Sequence, residues 1–522
     1  MKTYQYLVLI SSVLLFVACS EKDDSSSSSS SSGVSDSSMV SAMPSNLSVS
    51  SNTESGSSVS SRTAGRTSAK INDDSDPKKH ADKVARLQAV LNTTDISQCH
   101  KAIPKKMKGD SSKYVSCYGP QLAYVNHPAD NSSDGTLPTG DLGIWSAYND
   151  NSTQEACSVG QMNLLMDKIG RKVDLAVGIT AMMICAAKND SLSRPTVDGD
   201  ALDVTASVAK TQMSAKRGGM EITSATLKRS TLASGKIKYL SKLVGSFSYT
   251  DSSNNTDNQN FTIKFQHVPD TESSTLGTGG EGLIQMWQEG LNRTDGNCGG
   301  STLDTAMSVA YKNTSDNVSI RAVKANFSDN MTSSEFFGSG GEVRGTSITD
   351  NSSAGWCADL NVVRANLDSS GFGKIGYAWQ AGKGDGYTRT FNIKTDNTSG
   401  TLSGDAYFGF NPHPDNSSGT NKYRSTKIDR MICNWAGPNN SRTGVSKVQR
   451  QQLSFDSTAN VWKSATDNIT FAPTNDCNFD NSSYSTTTFG GYGASITNNL
   501  ESISNYNTNF GSQPTKPEPT LE

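Results

Sequence analysis

A mainly β (α+β) fold, a large curved antiparallel sheet or open barrel packed on a buried N-terminal helix, is what this 522-residue sequence predicts. Three observations point to it. Beyond Leu202 the apolar residues recur with period two, as on strands with one face buried. Polar runs rich in Gly, Ser, Asn, Asp and Thr separate those stretches as hairpin turns would. One long segment, Glu155 to Lys188, instead carries an apolar stripe at helical spacing.

At the start of the chain, Met1-Lys2 precedes an apolar run from Tyr6 to Val17 and then Ala18-Cys19-Ser20. The run is shorter than the roughly 20 residues that cross a bilayer and ends in a small-residue processing site, so it reads as a signal peptide. The junction resembles the lipobox of bacterial lipoproteins, with Phe16 where Leu, Val or Ile is usual. An ordinary secretory signal cut elsewhere is the alternative. The resemblance implies cleavage before Cys19 and acylation of that residue, so that a membrane becomes a partner through the lipid anchor. A single acyl chain binds only marginally, each buried methylene adding about 0.8 kcal/mol, so stable anchoring implies more than one. Ser20 rather than Asp after the cysteine implies, in the same pattern, the outer membrane of a Gram-negative envelope. Glu21-Lys22-Asp23-Asp24 is similar to a surface-export signal or is simply a solvated collar, which leaves periplasmic face and cell surface both open.

The expected organisation is a signal peptide (1–18), a lipidated, Ser-rich disordered tether (19–75), a helical part of the folded body (76–200), a β-rich body (201–500) and a disordered tail (501–522). The tether opens with eight consecutive serines, Ser25 to Ser32, and has no apolar period with which to offset its ordering entropy. About fifty such residues have an r.m.s. span of about 40 Å. Asp76-Pro77 reads as an N-cap and first helical residue, and Val84, Leu87, Val90 and Leu91 continue an amphipathic helix to Leu91. In the segment from Glu155 to Lys188, the charges Lys168, Arg171, Lys172 and Asp174 leave too short an apolar run to span a membrane, so a buried core helix is expected. Gly170 and Gly178 would break that helix or admit a neighbouring backbone.

Strand faces follow: Ile237, Tyr239, Leu243, Phe247 and Tyr249; Phe261, Ile263 and Phe265; Ile375, Tyr377 and Trp379; Tyr387, Phe391 and Ile393; Ala406, Phe408 and Phe410. A membrane barrel would alternate similarly, but aromatics are only 7% and no terminal phenylalanine strand closes the pattern. Pro514, Pro517 and Pro519 mark the tail.

Nine cysteines are present. With Cys19 assigned to lipid, Cys99, Cys117, Cys157, Cys185, Cys298, Cys357, Cys433 and Cys477 form an even set in an exported chain, where disulfides persist. Pairing of sequence neighbours is the simplest expectation: Cys99 with Cys117, Cys157 with Cys185, Cys298 with Cys357, Cys433 with Cys477. The second pair conflicts with a straight helix between its members, which would tie them to the sheet instead.

Candidate chemistry is sparse. The net charge of −3, or −4 without Lys2, gives no electrostatic footprint for nucleic acid or acidic lipid, so no polyanion partner is expected. There is no Gly-x-Ser-x-Gly, His-Glu-x-x-His, phosphate loop or Cys-x-x-Cys. Gly277, Gly279, Gly282 and Gly371, Gly373, Gly376 match Gly-x-Gly-x-x-Gly without the βαβ context of a dinucleotide site, and read as hairpin glycines. His127 and His413, each followed by Pro with Asp nearby, are either a pair that meets as metal ligands or as acid and base, or simply proline-anchored turns, and His267 continues a buried strand face. Gly277 to Glu281 nearly repeats as Gly338 to Glu342, so Glu281 and Glu342 could be paired carboxylates or turn residues. The Asp/Asn-rich loops lack the ligand spacing of a calcium loop, and the tryptophans include core residues or a sugar platform. No cofactor and no metal is expected. The function expected is a non-enzymatic binding or envelope-structural module on a lipid anchor. The alternatives are a half-barrel carrier of a hydrophobic ligand, and a surface glycan-binding protein or hydrolase.

Overall fold

The computed structural model describes residues 80–104, 158–213 except 194 and 196, the strands and some connections of 220–343, the strands of 356–476, and 516–521. The signal, Cys19 and the serine tether lie outside these residues.

Two helices and a short 3-10 helix form one layer. Helix α1 (His80–Asn92) is followed by the 3-10 helix Ile96–Ala102, whose N-cap Asp95 accepts from the Ser97 N–H at 2.9 Å. Helix α2 (Ser158–Asn189) runs 32 residues through both Gly170 and Gly178 without a break. Gly178 does admit a neighbour: a Cβ there would lie 2.7 Å from the Ala102 carbonyl oxygen. The end of α2 also serves α1, because Lys188 donates to the Leu91 carbonyl at 2.9 Å and Asn189 to that of Thr93 at 3.2 Å. These bonds satisfy carbonyls that a helix terminus leaves unpaired.

The other layer is the sheet. Strand β1 (Ala201–Asp203) and helix α3 (Thr205–Lys210) lead into β2 (Met220–Thr231), β3 (Ile237–Thr250), β4 (Thr256–Pro269), β5 (Gly280–Leu291), β6 (Leu303–Asn313), β7 (Asn317–Ser328), β8 (Trp356–Asp368), β9 (Gly373–Gly382), β10 (Tyr387–Asp396) and β11 (Thr401–Phe410). Next come β12 (Cys433–Trp435), β13 (Arg442–Val445), β14 (Gln451–Asp456), β15 (Val461–Ser464) and β16 (Pro473–Asp476). Strands β1 to β11 pair consecutively and antiparallel, and β14 and β15 extend the same sheet; β12, β13 and β16 make a second, small one. Among the described residues β1 and β15 are its edges, so the sheet is open.

Where side chains are described, the period-two faces fall where expected. Tyr239 lies opposite His267, Ser241 opposite Phe265, Leu243 opposite Ile263 and Gly245 opposite Phe261, and this row set faces α2. Further along the sheet Phe391 is in register with both Tyr377 and Ala406. On the opposite, outer face of β5 to β8, Phe336, Phe337 and Val343 of a small strap pack on Ala306, Val323, Ala325, Phe327, Leu360 and Val362. The strap is a tight turn in which Gly341 N–H bonds the Gly338 carbonyl at 2.8 Å and Gly338 N–H that of Glu342 at 2.9 Å. It is therefore no structural repeat of Gly277 to Glu281, whose described part leads into β5 instead. Residues 516–521 lie against the same outer face, with Pro517 buried, Lys516 Nζ 3.3 Å from Glu342 and the Leu521 carbonyl accepting from Lys238 at 2.5 Å.

Candidate functional site

Among the described residues, buried polar side chains gather where α1 meets α2 and on the inner rows of β4 to β7. Helix α1 buries Lys83, Arg86, Leu87, Val90 and Leu91, spaced three and four apart, so two cations share its apolar stripe. Both meet Asp174 of α2. Arg86 donates to Asp174 Oδ2 at 2.6 Å and, through Nε, to the Ala102 carbonyl at 2.9 Å, while Lys83 Nζ stands 3.7 Å from Oδ1. Burial holds the Lys83 ammonium down to about 8; Asp174 opposes that shift and Arg86 adds to it. The sequence signals none of this, since Arg86 and Asp174 are 88 residues apart.

Cys99 of the 3-10 helix is bridged to Cys185 of α2, with 5.6 Å between their Cα atoms. The expected pairings of Cys99 with Cys117 and of Cys157 with Cys185 are thereby corrected, as is the tie from Cys185 to the sheet. Gly178 brings the 3-10 segment onto the helix, and that contact, rather than nearness in sequence, selects the partner. Cys117, Cys157, Cys298 and Cys477, with the side chains of Cys357 and Cys433, lie outside the described residues.

Deeper in the sheet, His267 of β4 is fully buried, and its Nδ1 is 2.7 Å from the Tyr311 hydroxyl of β6. The two rings stack at 6.1 Å across β5, where Gly282 separates them in register. A Cβ on Gly282 would lie 2.4 Å from the Tyr311 hydroxyl, and one on Gly280, at φ +140°, would lie 2.5 Å from the His267 ring. These glycines clear space for an aromatic pair rather than cradle a phosphate. Burial pushes His267 down to about 3 and Tyr311 well up, so both are neutral at pH 7.

The inner rows become more polar toward one end: Gln288 pairs with Gln259, and Thr305 donates to Asn326 Oδ1 at 2.8 Å. Beside them Lys324 of β7 and Lys168 approach Lys172 of α2, whose ammonium is held down to about 7, first by burial and then by those two charges. A base with a lowered folded pKa binds fewer protons than the unfolded chain between the two values, so its contribution to stability rises with pH from about 7 towards 10.5. Lys172→Met should therefore raise the urea midpoint at pH 7 and flatten the rise in stability between pH 7 and 10. An unchanged midpoint and slope would show that Lys172 carries no such penalty.

The remaining sequence candidates disperse. Glu281 is engaged by Lys312 at 3.1 Å and Lys236 at 3.6 Å, and Glu342 by Arg321 at 2.6 Å as well as by Lys516. Each is thus a node of the outer-face ion pairs. Trp287 is half-buried with its ring edge-on to Phe337 at 5.4 Å. Gly373 opens β9 at φ +149° and Gly376 lies within it. His127, His413 and Gly371 lie outside the described residues, among which no group of three His, Cys, Asp or Glu side chains could hold a metal ion. No described helix is long and apolar enough to cross a membrane, which says nothing of strands. Compared with protein-family models, curated proteins and solved structures, the chain matches none.

Proposed function

We propose that this chain is an exported lipoprotein, held through acylated Cys19 at the outer membrane of a Gram-negative envelope, whose body serves as a non-enzymatic binding or envelope-structural module. The observation that carries the reading is the apolar run ending in Ala18-Cys19-Ser20. The packing of α2 supports it over a carrier: from Val173 to Ala187 the helix is buried all round, so its own side chains occupy the layer under the sheet that a hydrophobic cargo would need. Glu281 and Glu342 serve in ion pairs and His267 is sealed in the core, which supports a binding or structural body over a hydrolase.

Mass spectrometry of the protein purified from its own membranes tests the anchor. The N-terminal peptide should begin at Cys19 and carry acyl chains, and Cys19→Ser should move the protein to the soluble fraction. A mature chain that lacks Cys19, or carries it without lipid, would overturn the proposal. Protease shaving of intact cells then separates cell surface from periplasmic face.

A further inference from the structure

The outer face of β2 to β4 carries a charge pattern that the overall −3 conceals. Lys242 of β3 stands directly opposite Lys264 of β4, Lys238 lies four residues before Lys242 on the same face, and Lys228 of β2 sits opposite Leu240 between them. Lys242 is exposed, the other three lysines are partly so, and half-buried Leu240 and Val244 fill the gaps. Like charges directly opposite on adjacent strands destabilise a sheet. The neighbouring Lys236 and Lys312 share Glu281, but among the described residues no carboxylate pairs with Lys242 or Lys264. Burial and the nearby Lys242 and Lys238 charges accordingly depress Lys264.

We infer that this face docks on an anionic lipid surface, Lys228, Lys238, Lys242 and Lys264 meeting headgroup phosphates while Leu240 and Val244 settle between them. The choice of a lipid surface over another polyanion rests on the proposed Cys19 anchor, which would hold the body within tether reach of a membrane. At that effective concentration a weak patch suffices to orient the body. Lysines in facing rows of one sheet face present their charges together, and each lysine near such a surface contributes about fivefold in affinity. Residues 516–521 cover one end of this face, where Lys238 donates to the Leu521 carbonyl.

Vesicle flotation of the mature chain carrying Cys19→Ser tests the face without the anchor, so its outcome is independent of whether Cys19 is acylated in cells. The protein should float with vesicles of equal phosphatidylglycerol and phosphatidylcholine, stay behind with phosphatidylcholine alone, and release as salt rises. Adding K242E/K264E should weaken binding at least ~25-fold. Adding K242E alone places Glu opposite Lys264, so it should weaken binding while melting no lower than its Cys19→Ser parent, which separates lost binding from lost folding. Equal flotation with both lipids, unchanged binding in K242E/K264E, or capture by soluble dextran sulfate with no vesicle binding would each overturn the inference.

Discussion

Asp174→Ala is expected to lower the unfolding free energy by about 3–5 kcal/mol, because it removes the carboxylate that, among the described residues, Lys83 and Arg86 share in a buried cluster. Lys83, Arg86 and Asp174 are each no more than 2% exposed, so water cannot take over the lost partner. Arg86 would keep its bond to the Ala102 carbonyl, but its guanidinium would have lost the 2.6 Å contact that compensates its charge. Replacing the whole cluster by apolar residues of similar volume should recover most of the loss, since a buried ion pair is costly to break and cheap to replace. Urea unfolding of Asp174→Ala and of a K83M/R86M/D174L triple variant checks both statements. A single variant within about 0.5 kcal/mol of wild type would mean that the cluster is hydrated in solution.

The second large effect is expected at the staple between the 3-10 helix and α2. Cys99 and Cys185 close a loop with a sequence separation of 86. In the chain-entropy account a loop of that length restrains the unfolded state by about 4–5 kcal/mol, with strain and residual structure reducing what is realised. The double variant C99A/C185A should therefore lower the urea midpoint strongly, with a loss on the order of 4 kcal/mol, and raise the m-value as the unfolded chain expands. Peptide mapping under non-reducing conditions gives the sharper check. A Cys157–Cys185 or Cys99–Cys117 peptide would displace this pairing outright.

Much of the fold is legible in the chain for a simple reason. Strand side chains alternate with period two, so Tyr239, Leu243, Phe261, Ile263 and Phe265 announce the helix-facing rows before any strand is paired. Helical spacing likewise marks α2, and its Lys168, Arg171, Lys172 and Asp174 count against a membrane span. The polar candidates were less legible. Lys83 and Arg86 look solvated in sequence, but a carboxylate 88 residues beyond Arg86 meets them inside. Gly282 of a Gly-x-Gly-x-x-Gly pattern, with Gly280 beside it, proved to clear room for Tyr311 and His267, a relation that exists only once β4, β5 and β6 lie side by side.

By itself the sequence determined the elements: which stretches turn as helix, which extend as strands, and which face of each is apolar. The tertiary structure alone decided partners: Cys185 for Cys99, Asp174 for Arg86, Tyr311 for His267, and Lys264 for Lys242 across two strands. Periodicity is a local property, set by backbone geometry within a few residues, whereas disulfides, ion pairs and surface charge patterns depend on distances between segments that the chain brings together only when it folds.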